Sequence, residues 1–174
     1  EFACCADVSA AKELKGGHGR TKLLTGEEGL KALAGEPKAQ KVLCAISGSQ
    51  ALLPLLTAVE CGKEIALANK EAMVMAGPII ISLAKKKKAS IIPIDSEESA
   101  IWQCLEGRKR CQLRTIYLTA SGGPLRRLRI ADIKNISLKK VLTHPRWKMG
   151  RKITVDSATL MNKGLEFLET MFLF

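Results

Sequence analysis

Two acidic side chains two positions apart, Asp95 and Glu97, directly follow an apolar run ending at Ile94. If the backbone stays extended there, both carboxylates point to one side. Paired carboxylate oxygens with no Cys or His beside them suit a hard cation, Mg²⁺ or Mn²⁺ rather than zinc. Acidic residues opening a helix also act as caps and dipole partners, so the spacing alone leaves both roles open. A second polar set lies in 155–166, where Asn162 and Glu166 are four apart on one helical face and Lys163 stands three before Glu166. Ser157 reads as the N-cap of that helix, which would leave backbone N–H groups for an anion. The alternative is a surface helix with an internal ion pair, although Asn162 and Gly164 are poor helix formers.

Two loops complete the chemistry-bearing residues. Thr119-Ala120-Ser121-Gly122-Gly123-Pro124 offers hydroxyls and two glycines, where backbone can approach a phosphate closely, or it is a bare turn. His144 precedes Pro145, which fixes the local chain, and Trp147 and Met149 are apolar groups able to cover a ligand. A lone histidine is more often structural than catalytic.

The elements that must position these residues follow from periodicity. Helical spacing predicts helices over 7–15 and 27–34, separated by the loop 16–19 and with strands between them. The run 41–46 predicts a buried strand that turns at Ser47-Gly48-Ser49 into a helix over 52–61, with Gly62 as its stop. The pattern repeats as strand 64–67, loop 68–71, helix 72–88 and strand 90–94. Alternating strands and helices imply a mainly parallel sheet covered by helices. Lys85 to Lys88 form a basic run whose expected role is to complement a helix C-terminus in solvent. After Ile94 the style changes, and a domain change is placed near residue 94. An acidic turn over 95–98 leads into a helix to about 105 and a basic turn at 108–110. The expected order then runs through strand 115–119, the glycine turn, modest helical signal over 130–142, strand 153–155, and a helix from Ser157 onward.

Composition sets the outer limits. Of 174 residues, 47% are hydrophobic and 26% charged, as in an ordinary soluble globular protein. The longest apolar runs fall far short of a membrane span. The six cysteines show no CxxC pair, so reduced, mostly buried thiols and a reducing compartment are expected. A net charge of +11 invites an anionic partner, yet the charge is spread: residues 1–94 carry 13 Lys and Arg against 9 acids, and residues 95–174 carry 15 against 8. With only 4% aromatic residues, stacking platforms for bases are scarce. A non-catalytic basic module binding anions or nucleic acid is therefore the second choice. No targeting segment is visible at the start, no initiator Met is present, and both ends read as cut from a longer chain.

In order, the strings LANKE (67–71), IDSE (94–97), ASGGP (120–124), HPRWKMGRK (144–152) and VDSATLMNKGLE (155–166) resemble the 1-deoxy-D-xylulose 5-phosphate reductoisomerase family of the non-mevalonate isoprenoid pathway. RTKLLTGEEGL and VLCAISGSQALLP upstream resemble it too, so the likeness covers nearly the whole chain.

The resemblance implies an α/β fold, with the second part of a Rossmann-like NADP-binding domain over 1–94 and part of an α/β catalytic domain over 95–174. It implies Asp95, Glu97 and Glu166 as ligands of one Mg²⁺ or Mn²⁺. Lys70 and Ser96 would contact the hydroxyl and carbonyl region of the substrate, beside Glu97. Ser121, His144, Ser157, Asn162 and Lys163 would hold the sugar phosphate, with Lys70, Glu97 and His144 as the catalytic set. Asn69, Glu71 and Gly150 match positions that touch NADPH, and Trp147 and Met149 match a mobile lid. The implied reaction is a metal-assisted rearrangement followed by hydride transfer from NADPH, in a protein that is a homodimer at full length, in a bacterial cytoplasm or a plastid-like organelle, with neither nucleic acid nor membrane as partner. Three departures stand out. No GxGxxG fingerprint is present, the family's C-terminal helical domain is not visible, and Glu98 stands where many members carry His. The chain by itself is therefore expected to be inactive.

Overall fold

The computed structural model describes residues 1–14, 19–109, 112–146 and 148–174. Strand β1 (Phe2–Cys5) pairs in parallel with β2 (Lys22–Thr25), and α1 (Val8–Glu13) lies between them in the chain. Asp7 caps α1, its Oδ1 accepting from the backbone N–H groups of Ser9 at 2.7 Å and Ala10 at 3.1 Å. Helix α2 (Gly26–Gly35) follows and packs on β1 and on α3 (Leu52–Glu60). Of the loop expected over 16–19, residues 16–18 lie outside the described residues.

The main sheet is β3 (Lys41–Cys44), β4 (Glu64–Leu67) and β5 (Ser90–Pro93), all parallel, with β4 in the middle. Its central position explains why Ile65 and Leu67 are fully buried. Leu55, Ala58 and Val59 on α3 recur at helical spacing and meet Met73 and Ile80 of α4 (Lys70–Lys87) in one core. Pro54 sits in the first turn of α3, where the missing N–H has no intrahelical partner to lose. Within α4, Pro78 removes such a bond, and Ala76 leaves helical geometry to make a kink. Lys85–Lys87 occupy the exposed last turn of α4, and Lys88 closes it in the left-handed conformation.

The second half is carried by α5 (Ser96–Leu105), a 3-10 turn at Ile130–Asn135, and the helices α6 (Leu138–Val141), α7 (Arg151–Ala158) and α8 (Met161–Leu173). Helix α8 returns to pack along α4. The approach is close at Gly77, where an added Cβ would meet the Phe172 ring at 2.3 to 2.8 Å.

Three expectations are corrected here. Residues 153–155 are helical, within α7, although Ile-Thr-Val is a β-branched run. The Gly150 carbonyl accepts both the N–H of Thr154 at 3.1 Å and its hydroxyl at 2.7 Å, and Lys152 pairs with Asp156 at 2.8 Å one turn on, so local bonds override propensity. Ser157 is not an N-cap: it lies in the last turn of α7, and α8 starts after Leu160, which holds a left-handed conformation (φ 63°). Residues 115–119 form no ladder among the described residues; no strand lies beside them, and Tyr117 is 86% exposed. The helical signal over 130–142 resolves into the short 3-10 turn and α6. Among the described residues, no helix is long and apolar enough to cross a membrane.

Candidate active site

The chain turns from β5 into α5 at Asp95, whose Oδ1 accepts the Ser96 N–H at 2.9 Å and caps the helix. Capping and cation binding, left open by the spacing, are thus compatible: Oδ1 serves the helix while Oδ2 faces inward. Glu97 in the first turn of α5 places its Oε1 2.8 Å from Lys163 Nζ on α8, and Oε2 accepts the Ser96 hydroxyl. Glu166, 1% exposed, comes one turn later on α8. Its Oε1 accepts from Lys70 Nζ at 2.8 Å and from Asn162 Nδ2, and its Oε2 pairs with Lys163. Lys70, at the start of α4, also bonds Asn162 Oδ1 at 2.9 Å and pairs with Asp95 Oδ2.

Two ammonium groups therefore bridge three carboxylates, Lys70 between Asp95 and Glu166 and Lys163 between Glu97 and Glu166. Burial alone would lower the pKa of Lys70, yet hydrogen bonds and charges from Asp95 and Glu166 outweigh it and raise the value. Lys163 is raised in the same way by Glu166 and Glu97. For Glu97 burial acts upward, but Lys163 and Ser96 hold its carboxyl below the usual range.

The arrangement fits a divalent cation on two grounds. Asp95, Glu97 and Glu98 each bring a carboxylate oxygen within 4.8 Å of the others. Asp95 Oδ2 is buried without a directed hydrogen bond, although the Lys70 ammonium lies beside it. Oxygen-only donors of this kind select Mg²⁺ or Mn²⁺. Glu166 is outside that cluster of three and joins it through the two lysines.

A cleft of about 530 Å³ opens from this acidic end. Its walls carry Ser96, Glu97, Ser121, Met149, Ser157, Asn162, Lys163 and Glu166, so chain segments distant in sequence meet there. The glycine turn fits against α7 with no space to spare: a Cβ on Gly123, which has φ +61°, would lie 2.3 Å from the Ser157 carbonyl. His144 reaches this wall through Ser121, with Nε2 3.0 Å from the hydroxyl Oγ. Its Nδ1 accepts the Arg146 N–H at 3.2 Å, which puts the proton of a neutral ring on Nε2, as donor to Ser121. Trp147 lies outside the described residues; Met149 lines the cleft.

The three residues expected at a cofactor are not among those lining the cleft. Asn69, 2% exposed, caps α4 by accepting the Ala72 N–H at 2.7 Å, and its amide donates to the carbonyls of Ile46 at 2.7 Å and Gly48 at 3.0 Å. It also reaches Glu71 Oε2 at 3.0 Å, and Glu71 pairs with Lys152 of α7. Gly150 caps α7 with open space at its Cα.

Sequence reasoning missed a buried acid pair behind the site. Glu98 and Glu169 are both fully buried, and burial, with the neighbouring carboxylates, pushes their carboxyls up to about 7 and about 8. The available signal was Glu169 on the same face of α8 as Glu166, three positions on. Lys148, Ile153 and Leu160 in the cleft wall were also missed; as ordinary residue types they carried no signal.

Comparison with known proteins places two family descriptions on the chain: 1-deoxy-D-xylulose 5-phosphate reductoisomerase over residues 1–77, and its C-terminal domain over residues 91–174. A 1-deoxy-D-xylulose 5-phosphate reductoisomerase of Geobacillus sp. (strain WCH70) is 49% identical over 170 residues, covering 97% of this chain and 45% of the relative. One from Desulforamulus reducens is 50% identical over 155 residues, 89% of this chain and 40% of the relative. Among solved structures, DOX-P reductoisomerase in complex with NADPH, fosmidomycin and magnesium superposes with a TM-score of 0.84 at 44% identity, over 88% of this chain and 40% of that one. The Zymomonas mobilis enzyme in complex with NADPH gives 0.87 at 36% identity, over 99% and 44%. The chain thus spans less than half the length of the relatives it matches.

Proposed function

The chain belongs to the 1-deoxy-D-xylulose 5-phosphate reductoisomerase family, and on that footing we propose that it is the part of such an enzyme that carries the divalent-cation and sugar-phosphate residues. The observation supporting this most directly is the meeting of Lys70, Asp95, Glu97, Asn162, Lys163 and Glu166 at one end of a cleft that also contains Ser121 and Ser157. In this reading, residues 1–94 form part of the NADP-binding domain and residues 95–174 part of the catalytic domain. The substrate is 1-deoxy-D-xylulose 5-phosphate, rearranged and reduced to 2-C-methyl-D-erythritol 4-phosphate, in a homodimer of full-length chains in the bacterial cytoplasm or a plastid-like organelle.

Asp95, Glu97 and Glu166 would hold Mg²⁺ or Mn²⁺. When bound, the cation supplies a Lewis acid to substrate oxygens and NADPH supplies the hydride. Lys70 donates hydrogen bonds to the hydroxyl and carbonyl region, where its buried ammonium, anchored by Glu166, stays charged at neutral pH. Ser96 directs its hydroxyl to the same region. Ser121, oriented by His144, joins Ser157, Asn162 and Lys163 in binding the phosphate, whose remote binding energy helps position the reacting carbons. Met149, with Trp147, covers the substrate and excludes water. Asn69, Glu71 and Gly150 touch the cofactor from one side only.

With no glycine-rich fingerprint in the chain, NADPH should be weakly held and poorly oriented. The purified 174-residue chain is therefore expected to bind Mn²⁺ and fosmidomycin but not to oxidise NADPH when given the sugar phosphate. The same chain extended to the length of its relatives should turn over. Substrate-dependent turnover by the short chain would overturn the assignment of parts, and salt-sensitive binding to arbitrary DNA with no affinity for the sugar phosphate in the extended chain would overturn the function.

A further inference from the structure

We infer that Glu98 is a further direct carboxylate ligand of the divalent cation, added at the start of α5 to the set of Asp95, Glu97 and Glu166. The inference rests on the reading that Asp95 and Glu97 hold that cation. It adds a residue that the ordered motifs do not assign.

Glu98 is fully buried and brings one carboxylate oxygen within 4.8 Å of oxygens from both Asp95 and Glu97. Lys70 and Lys163 are committed to Asp95, Glu97 and Glu166, and among the described residues no ion pair reaches Glu98. Among the described residues its Oε1 accepts the Thr170 hydroxyl at 3.3 Å, and Oε2 has no hydrogen-bond partner. A buried carboxylate left in that condition is costly unless a cation or proton satisfies it. Glu169 stands behind, fully buried with both oxygens unpartnered among the described residues. Two buried carboxyls without an ion-pair partner among the described residues thus lie on that side of the cluster. A cation drawn there meets three carboxylate oxygens already gathered, which matches the preference of Mg²⁺ and Mn²⁺ for several anionic oxygens with water or substrate filling the rest.

A structural role and a ligand role differ in sign. As a ligand, Glu98 costs the cation-free chain stability and returns it on binding. Glu98→Gln keeps the shape and removes the buried acid, so it should leave the melting temperature of the cation-free chain unchanged or raised. At the same time it should weaken Mn²⁺ binding at least tenfold, read by isothermal titration and by the electron paramagnetic resonance of free Mn²⁺. Glu97→Gln serves as the reference for the underlying site. If E98Q binds Mn²⁺ within twofold of the unaltered chain while E97Q does not bind, the inference is overturned and the site reading stands. If the unaltered chain binds no Mn²⁺ at millimolar concentration, both are overturned. Should E98Q melt too early for titration, E98D and E98N make the same comparison. E98D is expected to bind at least fivefold more tightly than E98N, and equal affinities would overturn the inference.

Discussion

Replacing Lys70 with Met removes the charge that joins the two halves of the chain and keeps most of the side-chain volume. Lys70 is 5% exposed and starts α4, whereas its partners Asp95 and Glu166 belong to α5 and α8. Glu166 is 1% exposed, and Asp95 Oδ2 is buried without a directed hydrogen bond, so neither can recover water cheaply. Breaking a buried pair by deleting one partner costs about 3–5 kcal/mol, because a charge is left uncompensated. Lys163 still reaches Glu166, which places the expected loss toward the lower end of that range. For a chain of this size, about 3 kcal/mol corresponds to a fall in melting temperature of roughly 6–12 °C. Mn²⁺ should recover part of the loss, since it can neutralise the carboxylates that Lys70 leaves, and the stabilisation by Mn²⁺ should be larger in K70M than in the unaltered chain. Thermal and urea unfolding followed by circular dichroism, with and without Mn²⁺, measure both quantities. A loss under 1 kcal/mol would refute the view that this ammonium organises the site.

Three further outcomes are expected. Gly77→Ala should destabilise the chain by about 1–3 kcal/mol, since the new Cβ would meet the Phe172 ring at 2.3 to 2.8 Å; pairing it with Phe172→Leu should recover part of the loss in urea denaturation, and no recovery would show that the strain lies elsewhere. Glu71 has its pKa lowered, Lys152 outweighing the opposing effect of burial. Its contribution is therefore present above the ordinary carboxylate range and lost as pH falls through the depressed value. Glu71→Gln should flatten stability against pH below about 4.5, by less than about 1 kcal/mol because Lys152 is half exposed, and identical acid profiles would contradict the pairing. Ser121→Ala should weaken fosmidomycin binding without changing the affinity for Mn²⁺, as measured by titration, because the hydroxyl lies on the cleft wall and not among the carboxylates; equal losses of both would mean that the two parts of the site are not separate.

The parts of the fold that could be read in advance are those where one period dominates. The β3–α3–β4–α4–β5 order follows from apolar runs bounded by Gly48, Gly62 and Asn69, and it holds in the structure. Residues 153–155 went wrong because three β-branched side chains signal a strand, whereas the determining bonds, Thr154 to Gly150 and Lys152 to Asp156, depend on a helix already being present. The run 115–119 alternates like a strand, but a strand also needs a neighbour, which residue order alone does not supply. At the site, spacing placed Asp95 beside Glu97 and Asn162 beside Glu166, each on its own element, but could not say that α5 and α8 face one another. That depends on the packing of α8 along α4, tight where Phe172 meets Gly77, which residue spacing does not signal. The lysines explain why the two acidic elements tolerate that approach: Lys70 and Lys163 each reach from one element to a carboxylate on another, so charge neutralisation and helix docking occur together. Among the described residues no lysine pairs with Glu98 or Glu169. They lie on the α5 and α8 faces that the same docking brings together, so the proposed cation would offset an acid-rich interface that has few lysines.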